Sequence, residues 1–306
     1  MRRFFSLMSS ATLQALAEPL SSILFFVAFL TIHLVPVFHY HQFGEAGRLA
    51  RECGFSVLLV FGLVFATASA ARTIGGEIES GTAAAALARP VSRSLFFCAK
   101  TVGVMVAFGL FLLGVSAATL VAVLSSEMGA HLLAEGSPSH VWAPGLAAGV
   151  GSTLLAFAGA AAANRFAHRR FCVTACWLTA LAQPFAFLCV GLLSVHGHEA
   201  PAFAILPALS LLALACCVFI ALAAALSVAL KPAPVAALVG VAVVLSFVYP
   251  LTAVLPDISR FWLVDQLAGG AMPSGRDLAS AAGAAACLIA LWLSAGSFLM
   301  SRREIP

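Results

Sequence analysis

Charge is what this sequence has least of. Asp, Glu, Lys and Arg make up 9% of its 306 residues, against roughly 25% in a soluble globular domain, and that shortage excludes an ordinary soluble enzyme. The residues that take their place are apolar: 62% of the chain is hydrophobic and the mean hydropathy is +1.06, so the medium around most of it is lipid. A large basic surplus is also missing. Sixteen Lys and Arg against twelve Asp and Glu leave a net charge of +4, too little clustered charge for nucleic acid, where basic surface supplies the affinity. No Cys-x-x-Cys pair occurs among the eight cysteines, which removes a zinc ribbon and a disulfide framework and leaves them as small apolar residues in apolar runs. A cleavable leader is not expected either. Met1-Arg2-Arg3 is basic, but the first long apolar run starts near Leu20, has spanning length and is followed by no small-residue cleavage site.

A helix crossing the hydrocarbon core needs about 20 apolar residues, and eight stretches qualify: 20–38, 55–71, 95–124, 142–163, 172–195, 203–230, 234–255 and 278–300. Only Lys231 and Pro232 separate two of them, so that pair reads either as a helical hairpin or as a partly re-entrant element, which leaves six spans as the alternative. The expected fold is all-α, a polytopic helical membrane protein. Cytoplasmic flanks carry an excess of Lys and Arg. With the first residues inside, twelve of the sixteen basic residues lie on the inner side, leaving Arg48, Arg51, Arg260 and Arg276 outside. Both ends are then cytoplasmic under either count.

Residues 1–19 carry Phe4, Phe5, Met8, Leu13 and Leu16 at roughly helical spacing before Pro19, which reads as an interfacial helix or as a loosely ordered tail. Residues 20–300 form one transmembrane domain, and residues 301–306 a cytosolic tail. A second interfacial candidate runs from Pro256 to Leu267, where Phe261 and Trp262 suit the headgroup level.

The most informative stretch is the inner loop at 72–95. Glu77 and Glu79 do not belong in hydrocarbon. Ser80, Gly81 and Thr82 offer a turn and a helix N-cap, Ala83 to Leu87 a short helix, and Pro90 its stop. The product is a short charged helix held under the membrane, suited to being pushed by a soluble partner.

These residues resemble the cytosolic pattern of the permease subunits of ABC-2 type transporters: Ile74, a Glu, Gly81-Thr82, Leu87, Pro90, Ser92-Arg93 and Lys100. The Glu of the pattern is Glu77 or, in the closer spacing, Glu79. The loop between the second and third spans, the N-terminal amphipathic segment and the Ser-Arg-Arg-Glu ending fit the same likeness. The resemblance implies a permease, with a dimer of such subunits forming the membrane path and contacting lipid. A separate ATPase subunit would couple through Glu77, Glu79, Gly81, Thr82, Arg89, Pro90 and Arg93, with Arg165, Arg169 and Arg170 of the next inner turn assisting or simply anchoring. ATP and Mg would sit on that partner and no cofactor on this chain, which lacks a Gly-x-x-x-x-Gly-Lys-Ser/Thr loop to cradle phosphates. A bacterial inner membrane and an outward direction of transport are the accompanying expectations.

Three further features admit two readings each. His39 and His41, and His196 and His198 beside Glu199, have a spacing that could bind Cu or Zn at the outer face, or they supply the polarity of outer loops poor in Lys and Arg. Gln183-Pro184 is the main polar feature inside a span: it marks a path or subunit interface, or caps a carbonyl that the proline frees. Gly145 and Gly149 give a small-residue face that reads as close helix packing. An ion- or metal-linked carrier using the outer histidines is the rival function. Against it, no Asp, Glu, Lys or Arg falls mid-span, where a coupling ion would need one. A polytopic enzyme ranks below both, because His-Glu-x-x-His, Gly-x-Ser-x-Gly and paired intramembrane carboxylates are absent.

Overall fold

Backbone amides in lipid find no water, so a chain this apolar satisfies them within helices, and helix is the only regular structure among the described residues of the computed structural model. Those residues are 2–37, 47–88, 91–134, 143–193, 205–248, 254–263 and 274–303, with the side chains of 128–134, 143, 144 and 193 set aside. In chain order the helices are α1 (Arg2–Ala17), α2 (Pro19–Leu34), α3 (Arg48–Ala70), α4 (Glu77–Glu79), α5 (Thr82–Leu87) and α6 (Arg93–Ala134). They continue as α7 (Ala143–Ala167), α8 (Phe171–Leu193), α9 (Ile205–Ala229), α10 (Pro232–Val248), α11 (Ile258–Phe261) and α12 (Gly275–Arg302).

Among the described residues, seven helices are long and apolar enough to cross a membrane. The remaining apolar stretch, 234–255, becomes α10, whose 17 residues extend about 26 Å, short of the roughly 30 Å hydrocarbon core. Around Lys231, α9 ends at Ala229 and α10 starts at Pro232, with proline at a first helical position where its missing N–H costs nothing. α12 runs to Arg302, so helix continues past residue 300 into the segment read from sequence as a tail.

The bundle is organised around α9, 83% of whose spanning window is buried because it is apolar on every side. It packs against α3, α6 and α12. Beside it, α2, α3 and α6 meet in an aromatic cluster. The Phe111 ring lies 5.1 Å from Phe25 and stacks on Phe65 at 6.1 Å, within the range where offset aromatic pairs add about 1 kcal/mol to their burial.

α1 forms as the helix its spacing suggests, but on a different face. Ala11, Thr12, Ala15 and Leu16 are buried, whereas Phe5 and Leu13 are exposed. The reason is α6: Gly103 leaves room for α1 to cross so closely that a Cβ there would lie 2.5 Å from both the Met8 carbonyl and the Ala11 methyl. Thr12 Oγ1 donates to the Gly103 carbonyl at 2.9 Å. Small residues make the contact with α6, and Phe5 and Leu13 face outward.

Of the second interfacial candidate, residues 264–267 lie outside the described residues. Phe261 is buried in the core cluster and Trp262 packs edge-on to Phe55 at 5.9 Å, because Asp257 caps α11 through the Ser259 amide and turns that short segment inward.

Candidate functional site

The segment read from sequence as a loop begins as unbroken helix. α3 passes through a π-helical stretch, Ala71–Gly76, straight into Glu77–Glu79. A π turn holds one residue more than an α turn, so the residues beyond it are rotated by about 100° from their α-helical course. Gly75 allows the widened turn to lie against α9, where a Cβ would stand 3.4 Å from the Ser227 carbonyl.

That rotation turns Glu77 toward α6. Glu77 Oε1 lies 2.6 Å from Lys100 Nζ, with the lysine side chain 3% exposed and the glutamate 17%. The ammonium also donates to Gln14 Oε1 of α1 at 3.3 Å and lies 5.7 Å from the centre of the Phe96 ring. An ammonium has three protons to place, and here a carboxylate, an amide and a ring face receive them. The Glu and the Lys of the sequence pattern are therefore partners, and of the two glutamates it is Glu77 that meets Lys100, while Glu79 is exposed.

After Glu79 the chain reverses at Gly81, whose φ of +72° lies in the left-handed region that glycine enters without penalty. The turn and N-cap expected of Ser80, Gly81 and Thr82 form here, without a hydroxyl cap. Gly81 holds the N-cap position, with no side-chain bond to the helix, and the two hydroxyls bond each other at 2.9 Å while Thr82 Oγ1 reaches back to the Glu77 carbonyl at 3.3 Å. Ile78 and Ala83 are buried in a second cluster with Phe96, Phe97, Phe219 and Met300. The elbow is thus fixed to α6, α9 and α12, with Glu79, Ser80 and Thr82 on its open side.

Other sequence candidates are engaged at the same end of the bundle. Arg93 donates from Nη1 to the carbonyls of Ser301 and Arg303 at 3.1 and 2.8 Å, a cation placed where the α12 dipole is negative. Arg72 pairs with Glu18, which precedes α2. Arg89 and Pro90 lie outside the described residues. Arg165, Arg169 and Arg170 are exposed in the tight α7–α8 turn, where Asn164 Nδ2 donates to the Arg169 carbonyl at 2.7 Å and His168 adopts a φ of +52°. Arg170 reaches a recess of about 540 Å³ shared with Gln14, Glu18 and Glu77, so the two basic-end turns meet. A neighbouring groove of about 640 Å³ runs between Arg2, Arg3 and Leu7 of α1 and Ala85, Ala86 and Val91.

Sequence reading placed Lys100 in the family pattern without a partner, and passed over Gln14 and the groove at Arg2 and Arg3. A lone lysine six positions into an apolar run was the available signal, since an amine there has to find a partner. Nothing local marks Gln14, because its role depends on where α1 crosses α6.

Deeper in the bundle, Gln183 is fully buried and joins three helices. Its Oε1 lies 2.6 Å from His33 Nε2 of α2 and its Nε2 donates to Thr153 Oγ1 of α7 at 3.0 Å. The amide is engaged by neighbouring helices rather than by a carbonyl freed at Pro184, which lies inside α8. Gly149 permits this: a Cβ there would fall 2.2 Å from His33 Nδ1, and one at Gly145 would fall 1.7 Å from Ser125 Oγ. The small-residue face therefore packs within the chain. His39, His41, His196 and His198, the outer metal candidates, lie outside the described residues. No cluster of three metal-ligating side chains occurs among the described residues, and all eight cysteines are free.

A family model described as ABC-2 family transporter protein covers residues 28–261, from within α2 to the end of α11. No curated protein and no solved structure matches the chain.

Proposed function

The chain belongs to the ABC-2 transporter family, and on that premise we propose that it is the permease subunit of an ATP-driven exporter, coupled to a separate ATPase subunit through the α4–α5 elbow. The carrying observation is the Glu77–Lys100 contact at 2.6 Å, which makes the elbow a rigid extension of α3 braced on α6. A force on Glu79, Ser80 or Thr82 then moves two spanning helices rather than flexing a loop. Ile78 and Ala83, buried against Phe96 and Phe97, brace it from the other side.

The basic end faces the cytosol of a bacterial inner membrane in this reading, in keeping with the excess of Lys and Arg there. The ATPase seats on the open side of the elbow and along the groove carrying Arg2 and Arg3, where acidic side chains of the partner meet the two guanidiniums. Two permease subunits form the path and two ATPase subunits lie beneath. ATP and Mg belong to those partners.

The test is co-purification in mild detergent with the Walker-motif ATPase encoded nearest to this chain. Glu79→Lys leaves the folded elbow intact and weakens the complex and its ATP hydrolysis at least tenfold. An intact chain that captures no ATPase, or a Glu79→Lys complex as tight as wild type, would overturn the docking surface. Direction is read from inverted vesicles, into which an exporter of this orientation accumulates substrate on addition of ATP.

A further inference from the structure

Between α3 and α10 lies a lateral groove of about 540 Å³ that neither the elbow nor the bundle core uses. Val60, Val64 and Ala68 form one wall, and Ala236, Gly240 and Val243 the other. Its surface is almost wholly apolar apart from one end, where Arg72 lines the mouth beside Pro232. Lys231, exposed and without an acidic partner among the described residues, immediately precedes that proline. The acidic group facing the mouth is Glu18, which pairs with Arg72. The guanidinium is still about half exposed, and it has five N–H donors to share.

The groove has the length of one lipid leaflet. From Val60 to Arg72 the helix rises about 18 Å, against about 15 Å for half of the hydrocarbon core. An acyl chain entering at the level of Arg72 therefore reaches the far end near the bilayer midplane. Lys231 and the exposed part of the Arg72 guanidinium, one positive charge in excess of Glu18, sit where the headgroup falls, and basic recesses between spanning helices on the cytoplasmic side select anionic headgroups.

We propose that this groove holds one acyl chain of an anionic phospholipid, with its phosphate at Arg72 and Lys231. The lipid is a resident of the permease and fills the space that the short helix α10 leaves beside α3. The site stands whether or not an ATPase couples at the elbow.

Native mass spectrometry of the full chain, exchanged into detergent with equal amounts of phosphatidylglycerol and phosphatidylcholine, reads the selection directly. Wild type retains phosphatidylglycerol preferentially, about fivefold for each basic group at the mouth. Lys231→Gln, which disturbs no ion pair, loses one such factor, and adding Arg72→Gln removes the preference. Gly240→Phe fills the groove, because a Cβ at Gly240 meets nothing within 4 Å, and it retains less of either lipid with an unchanged melting temperature. Equal retention of the two lipids by wild type, or undiminished retention by Gly240→Phe, would overturn the site. So would a Gly240→Cys chain that cross-links to a second copy in native membranes, since protein rather than lipid would then cover the groove.

Discussion

Glu77 and Lys100, 23 positions apart, meet at 2.6 Å where the lysine side chain is almost wholly shielded. The pair joins the end of one spanning helix to the start of the next, and it carries a signed prediction. Glu77→Gln leaves an ammonium in a site that is 3% exposed, at a cost of about 3–5 kcal/mol. Lys100→Met leaves a carboxylate that still touches water and costs about 1–3 kcal/mol. The double variant recovers most of the loss, as the replacement of a buried pair by apolar groups often does. Thermal melting in detergent ranks the three, and equal losses in the two single variants would contradict the asymmetry of burial.

Gly103 sets the seat of α1. Gly103→Ala brings a methyl to within 2.5 Å of the Met8 carbonyl and the Ala11 methyl, so α1 has to shift at a cost of about 1–3 kcal/mol. Gly103→Leu displaces α1 altogether, and limited proteolysis then cuts within the first twenty residues. A Gly103→Leu chain as resistant as wild type would mean that α1 does not cross α6 there.

The polar knot of His33, Thr153 and Gln183 contributes modestly, because hydrogen bonds between membrane helices average below 1 kcal/mol and reach about 1.7 kcal/mol. Gln183→Leu removes both contacts and lowers stability by about 1–2 kcal/mol in detergent unfolding. Thr153→Val removes one contact and costs about half as much. A stabilised Gln183→Leu chain would show that the triad has another purpose than joining α2, α7 and α8.

Orientation is testable by thiol labelling. A cysteine at Gly275 and one at Arg303 bracket α12, which spans 28 residues, about 42 Å. In intact cells a membrane-impermeant maleimide labels Gly275→Cys and leaves Arg303→Cys untouched until the membrane is opened. The reverse pattern would invert the whole topology.

The helices were legible because apolar runs of spanning length have few other structures open to them in lipid. Gly145 and Gly149 were legible as packing residues for a similar reason: small side chains on one helix face invite a neighbour. Glu77 was not. Its inward turn depends on the π stretch at Ala71–Gly76, and a reading in steps of 3.6 residues has no place for an extra one, so both glutamates look equally solvent-facing. The packing of Phe261 and Trp262 was not legible for another reason, since the same aromatic composition suits a headgroup rim and a core, and only the fold of Pro256 to Leu263 brings Trp262 onto the Phe55 ring. Arg93 looked like a free docking cation because its acceptors, the carbonyls of Ser301 and Arg303, come from the far end of the chain.

The π stretch also bears on how movement travels. Winding in a helix changes by whole residues: if Ala71–Gly76 closed into α-helical turns, Glu77 would swing about 100° away from Lys100, and no intermediate winding would keep the backbone bonds. The widened turn and the Glu77–Lys100 contact are therefore one feature written twice: whatever removes the extra residue from the turn also parts the ion pair, and the elbow keeps its brace only while α3 keeps its π winding.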